Sequence, residues 1–449
     1  MRGLLALALA FVMAMPASAQ ALIRDTEIEH ILREWTDPIL ETAGLNPNDV
    51  GLYIISDPSL NAFVANGQNI HLHTGLLMAA ESPEQIKGVI GHETCHIACG
   101  HTVTRSRAAE TAMRPALVSI GLGVLAIAAG AGDAGAALIG SSQQFAALNF
   151  FKHTRAEEAA ADQAAIAYLE QLGQSPRGLV EFLENFRYEE VLSAGRRSPY
   201  FRAHPLASDR IRTTRNLAEE TGLMDKPTPP EVQDQFEMMQ AKLYGFLRPP
   251  TQVYQRYPAS DERQPARYAR AIAAMQAADL TAAVKAVDSL IEEEPDNAFF
   301  QELKGQILYE GGQVEASIPP LREATELMPN EPLLLIALAQ SLVARAEPGD
   351  LDEAEQALRD ALLEERGNAY AWRQLARCLE KQGKRAQAEL ATAESAYAIG
   401  DLARANAFAG RAIQDLERNT PDWRRASDIM AASDPRLPEN RDFYRRTQR

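Results

Sequence analysis

The sequence predicts a mainly α-helical chain with one small β-sheet, an α+β arrangement, and three observations predict it. From Ile23 to Ala43, apolar residues are spaced with acidic and basic ones in the manner of an amphipathic helix that stops near Gly44. Runs suited to strands are short and confined to the stretch between Leu52 and Leu77. Past residue 264 the chain is helical and repetitive, with Pro295-Asp296-Asn297 answered by Pro329-Asn330-Glu331 at a distance of 34 residues.

The chain starts Met1-Arg2, continues through an apolar run from Leu4 to Met15 and reaches Pro16-Ala17-Ser18-Ala19. Residues 1–19 therefore predict a secretory signal with an Ala-x-Ala site cut before Gln20, its apolar core too short for a comfortable transmembrane span. An exported, periplasmic protein is the expectation. With 449 residues the chain has room for two or three domains, and a formal net charge of −16 argues against nucleic acid as a partner. Three cysteines exclude a disulfide-rich scaffold, so stability must come from hydrophobic cores.

After the first helix, Leu52-Tyr53-Ile54-Ile55 predicts a buried strand. Asn61 to Ala65 and Ile70 to Leu77, flanking Asn66-Gly67, predict a hairpin whose outer strand offers an edge to an extended peptide. His71 and His73 fall on one face of that hairpin, where exposed strand histidines are the better expectation than a metal site.

The motif that carries chemistry is Gly91-His92-Glu93-Thr94-Cys95-His96-Ile97-Ala98-Cys99-Gly100-His101, on a helix placed at 82–110. At about 100° per residue, His92 and His96 lie within about 40° of each other, so both imidazoles reach one tetrahedral ion. Glu93 sits beside them without being a ligand and is placed to act as the general base of a zinc metalloprotease. By the same angle count His101 lies on the opposite side of the helix, which makes it a packing or capping residue. Cys95 and Cys99 would make a strained pair on one helix and are expected as small buried thiols.

Between Pro115 and Gly132 there is no charged residue, and a second apolar stretch runs from Ala134 to Ile139. The two predict a helical hairpin over 115–140 that covers the active site, touches a membrane surface peripherally, or packs as core. An alanine-rich helix follows, with Glu158 and Asp162 four residues apart on one face. If that face meets the first motif, Glu158 becomes the third metal ligand and Asp162 accepts a hydrogen bond from a ligand histidine. His204-Pro205 lies in a loop leading into another helix marked by Arg210-Ile211. A fourth zinc ligand, a transition-state donor and a helix-start residue are all compatible with its spacing. Ser198 to Ala203 is polar and proline-bounded, which predicts a segment able to swing.

Prolines crowd residues 226–264 around one helical run from Glu231 to Phe246, predicting a linker between a metalloprotease domain at 20–225 and a repeat domain at 265–445. The 34-residue period is that of tetratricopeptide repeats, which build an α-solenoid that binds peptides or proteins. Gly367-Asn368 continues the series with four extra residues placed at Ala346 to Gly349, and Tyr397 to Leu416 predicts a further helix pair.

These motifs together resemble the periplasmic BepA/YfgC type of metalloprotease, related to HtpX within peptidase family M48. The residues that carry the resemblance are His92-Glu93-x-x-His96 with Gly100-His101, Arg155-x-x-Glu158-x-x-Ala161-Asp162, Asn61-Ala62-Phe63 with Thr74-Gly75-Leu76, His204-Pro205 and the C-terminal repeats. The resemblance implies a gluzincin fold in which His92, His96 and Glu158 hold one zinc and Glu93 is the base. It further implies that His204 is a latch, and that the protein serves outer-membrane protein assembly. Unfolded or stalled outer-membrane proteins would be its substrates, with the outer-membrane assembly machinery engaged through the repeats.

Overall fold

The computed structural model describes residues 22–101, 155–188, 199–204, 208–437 and 440. The expected signal segment and the apolar hairpin at 115–140 lie outside these residues. The chain divides into two compact units, one formed by residues 1–23 and 33–229, the other by 24–32 and 230–449.

In the first unit a four-stranded sheet has the order β1-β2-β4-β3, with β1 Leu22–Ile23, β2 Gly51–Ile55, β3 Ala62–Ala65 and β4 Asn69–His73. The expected hairpin is present: β3 runs antiparallel to β4, pairing Phe63 with His71, and is the edge strand. β2 runs parallel to β4, placing Ile54 opposite Leu72. Ile54, Ile55, Ile70 and Leu72 are buried, as the alternation of an apolar sheet face requires. The histidines of β4 are not exposed. His73 is buried, its Nδ1 2.9 Å from Ser59 Oγ, and the His71 ring stacks on Phe63 and Tyr53. Ser59 thus engages only His73 Nδ1, and the buried Nε2 of that ring has no hydrogen-bond partner among the described residues.

Helix α1, Thr26–Thr42, brings Trp35, Ile39 and Leu40 into this core and stops before Gly44, which takes the left-handed conformation at φ +76°. The short α2, Thr74–Ala79, leads into α3, Pro83–Ala98. Pro83 opens α3 at a position where its missing N–H costs nothing. Ile86, Val89 and Ile90 are fully buried, and so are polar residues on the remaining faces. A helix covered all round is a central one. A helix observed over 155–171, here α4, and α5, Arg177–Glu184, cover it.

Glycine permits these approaches. A Cβ on Gly91 would stand 3.2 Å from the Ala165 Cβ of α4, and one on Gly178 would stand 2.1 Å from the Glu84 backbone carbon of α3. Residues 199–204 hold the one-turn helix α6, Pro199–Ala203, whose Tyr200 and Phe201 are buried. The polar segment expected to swing is thus anchored in the core by two aromatic rings. α7, Ser208–Glu220, follows.

The second unit is all helical. α8, Pro230–Leu247, and α9, Pro250–Arg256, occupy the stretch expected as linker, and both pack on α10, Gln264–Gln276. Antiparallel pairs then continue: α11 Leu280–Glu293, α12 Ala298–Glu310, α13 Val314–Leu327, α14 Pro332–Arg345, α15 Asp350–Glu364, α16 Ala369–Lys381, α17 Arg385–Ala398, α18 Leu402–Asp415 and α19 Pro421–Ala432. Each helix packs on the next, and α10, α12, α14 and α16 also touch in series, which is a solenoid of stacked helix pairs.

The repeat's sequence marks have physical roles. Asn297 and Asn368 cap α12 and α16 with their side chains. Gly305 lies so close to Leu321 that a Cβ would overlap it at 2.3 Å. The N-cap positions Asn297, Glu331 and Asn368 are 34 and 37 residues apart, so the insertion counts three residues rather than four, absorbed where Ala346 and Gly349 take positive φ. Tyr397 to Leu416 holds the last turn of α17 and all of α18, so the pair it belongs to starts earlier, at Arg385.

Among the described residues no helix is long and apolar enough to cross a membrane.

Candidate metal centre

His92 and His96 project from the last turns of α3 towards Glu158 of α4, and His204 arrives from the end of α6. One ligand atom from each of these four side chains lies within 4.8 Å of the others, and all four residues are buried. His92 Nε2 is 3.1 Å from His96 Nε2 and 3.2 Å from Glu158 Oε2, while His96 Nε2 is 3.6 Å from Glu158 Oε1. His204 Nδ1 stands 3.0 Å from Glu158 Oε2 and 3.2 Å from His92 Nε2.

Tautomers decide what this convergence means. Asp162 Oδ1, 2.9 Å from His92 Nδ1, is an acceptor, so the proton of neutral His92 sits on Nδ1 and Nε2 presents a lone pair inward. His96 Nδ1 is likewise engaged, 3.0 Å from His101 Nδ1, which leaves its Nε2 facing that of His92. Two lone pairs and a carboxylate aimed at one point repel unless a metal cation or, in the metal-free protein, a proton on His92 Nε2 stands between them. A tetrahedral ion with bonds of roughly 2.0–2.1 Å needs donor atoms about 3.3 Å apart. The measured separations, 3.1 to 3.6 Å, bracket that value, so the donor set fits a metal ion.

The electrostatics agree. Burial opposes ionisation of Glu158, but interaction with His204, a hydrogen bond with His92 and the charge of Arg210 hold its carboxyl well below the usual range. Burial likewise raises Asp162, and Arg210 overrides it, bringing the carboxyl down to about 2. Burial would lower His92, yet its bonds to Asp162 and Glu158 raise it to about 9 in the absence of metal. Glu93 stands apart: it is fully buried, both its carboxylate oxygens lack a hydrogen-bond partner among the described residues, and His204 Nε2 lies 3.4 Å from Oε1.

The six residues singled out in the sequence, His92, Glu93, His96, Glu158, Asp162 and His204, are therefore brought together. Three neighbouring residues sit otherwise than expected. α3 ends at Ala98, and Gly100 at φ +69° turns the chain back, so the helical angle count does not extend to His101, which returns to meet His96. Cys95 and Cys99, expected as two buried thiols, are joined in a disulfide, with Cα atoms 5.3 Å apart and Cys99 exposed as the C-cap of α3. That separation is within the ordinary range for a disulfide.

Arg210 was not anticipated. Its Nη1 is 3.2 Å from Glu158 Oε2, its Nη2 donates to Asp162 Oδ1 at 2.8 Å, and its Nε donates to Asp162 Oδ2. The available signal was a charge count, since two carboxylates on one buried helix face demand a cation.

Comparison with known proteins gives the same direction. Residues 23–218 match Peptidase family M48. The beta-barrel assembly-enhancing protease of Escherichia coli (strain K12) is 26% identical over 356 residues, covering 77% of this chain and 70% of that protein. Its namesake in Yersinia pestis is 24% identical over 404 residues, 88% of this chain and 81% of that one. Metalloprotease LoiP of Escherichia coli (strain K12) is 28% identical over 185 residues, covering 40% of this chain and 67% of its own. The chain thus resembles peptidase family M48 over residues 23–218 and the beta-barrel assembly-enhancing proteases along most of its length.

Proposed function

We propose that the protein is a zinc-dependent endopeptidase of the periplasm that acts on misfolded or stalled outer-membrane proteins, with the solenoid binding clients or the outer-membrane assembly machinery. The observation that carries the reading is the meeting of two inward-facing imidazole lone pairs and a carboxylate beside an unbonded, buried glutamate. His92, His96 and Glu158 are the ligands, a nitrogen and oxygen set with an open position that suits catalytic zinc. A zinc ion held by these residues would supply Lewis-acid chemistry, activating the water nucleophile and the scissile carbonyl.

The chain's own groups supply the rest. Glu93 takes a proton from the attacking water on its free carboxylate and passes it to the departing amine nitrogen. Asp162 holds His92 in the tautomer that keeps Nε2 available, and His101 does the same for His96. Strand β3, at the edge of the sheet among the described residues, would offer backbone donors and acceptors to an extended substrate.

A second reading, an assembly factor of chaperone type whose protease is mostly latent, is favoured by the position of His204. Its Nδ1 stands with the ligand atoms, where an imidazole would exclude water from the fourth position. The test is digestion of an unfolded outer-membrane protein by the purified chain with and without a chelator. Glu93→Gln should retain metal and lose cleavage by about 10²–10⁴-fold, whereas His92→Ala and Glu158→Ala should lose the metal. A fully active Glu93→Gln protein overturns the mechanism.

A further inference from the structure

The structure holds a second group of ligating side chains, of which the peptidase reading uses only His101, as the partner of His96. Cys95, Cys99 and His101 each bring a donor atom within 4.8 Å of the others at the C-terminal end of α3. None of the three belongs to the first group. Their convergence depends on the turn at Gly100, which brings His101 back over the helix end. The two sulfurs are covalently paired, so the group is closed to metal as it stands.

From this we infer a redox-gated second metal site: opening the Cys95–Cys99 disulfide creates a Cys-Cys-His site for a soft or borderline cation such as zinc or copper(I). Thiolates and an imidazole are the donors those ions prefer, and three protein ligands leave one position for water or an exogenous group. Access is one-sided, because Cys99 is exposed while Cys95 is fully buried. The opening reagent is a dithiol. One of its thiolates attacks Cys99 Sγ, the disulfide bond breaks, and the electron pair leaves on Cys95 Sγ. The second thiolate of the reagent then attacks the mixed disulfide and releases Cys99 Sγ. Two electrons pass to the protein, the reagent departs as its own disulfide, and its two protons match the two thiolates formed. Metal binding displaces those protons into solvent.

The site cannot fill without effect on its neighbour. A neutral His101 has one ring proton, and while its Nδ1 accepts from His96 that proton is on Nε2. Ligating a metal through either nitrogen therefore ends its service as acceptor for His96. This consequence rests on His96 being a ligand of the first site; the existence of the second site does not.

Cobalt(II) added to the full-length protein separates the two sites, because only thiolate ligands give the intense thiolate-to-cobalt charge-transfer absorption. With the disulfide intact no such band is expected. After reduction by dithiothreitol, removed before metal addition, up to two equivalents of cobalt, one for each site, should produce it. The band should vanish in Cys99→Ser, persist in Cys378→Ser and Glu158→Ala, and require at least tenfold more cobalt in His101→Ala. A reduced wild-type protein with three titratable thiols and no band overturns the inference, as does a band that survives Cys99→Ser. Loss of the band in Glu158→Ala, with helical circular dichroism unchanged, would place the thiolates in the first site and likewise overturn it. Absence of proteolysis in the chelator test, with the band present, would instead count against the peptidase reading alone.

Discussion

Arg210 donates from Nη2 to Asp162 Oδ1 at 2.8 Å, and that same oxygen stands 2.9 Å from His92 Nδ1. The guanidinium thus fixes the carboxylate that fixes the imidazole. It also touches Glu158, so one buried cation supports two members of the candidate centre. Arg210→Met should leave two buried carboxylates with only His92 as a nearby cation and destabilise the metal-free fold by about 3–5 kcal/mol. Asp162→Asn, which keeps the volume and loses the charge, should weaken metal binding by about 10–100-fold. Urea unfolding of the first variant and equilibrium dialysis of the second check these outcomes, and wild-type metal affinity in Asp162→Asn would remove Asp162 from its supporting role.

What the sequence made legible follows from how local each signal is. His92, Glu93 and His96 lie one turn apart, so helix geometry alone places them together, and Glu158 with Asp162 repeats that logic on a second helix. The 34-residue spacing exposed the solenoid because every repeat must solve the same packing problem, visible where Gly305 admits Leu321. Arg210 was invisible because its partners are 48 and 52 residues away and no periodicity connects them. His101 and the cysteine pair were misjudged for a different reason: a single left-handed glycine ends the helix that the angle count assumes.

His92 gives the metal-free protein a characteristic pH dependence. Its folded value of about 9 lies above the ordinary 6.5, so the folded chain holds the proton more tightly than the unfolded one. The resulting stability is complete below pH 6.5, falls as pH rises and is lost through pH 9, an effect of about 3 kcal/mol. Chelator-treated wild-type protein should lose more stability than His92→Gln between pH 6 and 9.5, measured as urea midpoints. Equal losses in the two proteins would contradict this account.

Gly178 tests the packing that holds the metal helix. A Cβ there would meet the Glu84 backbone carbon at 2.1 Å, and a backbone atom cannot rotate away as a side-chain end does. Gly178→Ala should force α3 and α5 apart and cost about 1–3 kcal/mol or more. A thermal melt checks it, with Gly222→Ala as a comparison in which no atom lies within 4 Å and only the positive φ opposes the change. A Gly178→Ala protein as stable as wild type would show that the two helices do not depend on their close approach.

In the second unit Lys242 is buried among carboxylates, its Nζ 2.9 Å from Asp25 Oδ2 and 3.1 Å from Glu27 Oε2, with Tyr268 donating to the same Glu27 oxygen at 2.7 Å. Lys242→Met retains the aliphatic stem but strands the acids. The expected cost is about 3–5 kcal/mol at neutral pH. Acidification should recover part of it, because protonated carboxyls need no counter-ion. A denaturant series at pH 7 and pH 5 reads both effects, and a variant equally destabilised at the two values would point to lost packing instead of stranded charge.

We propose that His204 regulates the candidate centre. Its ring stacks on buried Tyr200 with centroids 4.7 Å apart, Nδ1 lies among the ligand atoms, and Nε2 faces Glu93. An imidazole so placed occupies the position that a substrate carbonyl or a nucleophilic water requires. Release of His204 must therefore precede turnover if it is a cap, and Tyr200 is the surface from which it has to slide. His204→Ala should then raise basal cleavage of an unstructured peptide and self-cleavage, and Tyr200→Ala should do so in part by loosening the stack. The competing role, donation of a hydrogen bond to the tetrahedral intermediate, predicts the opposite sign, a loss of about 10²–10³-fold in kcat. Metal content measured beside the cleavage rate separates the cases: a slow His204→Ala enzyme that keeps its metal rejects the cap, and a fast one establishes it.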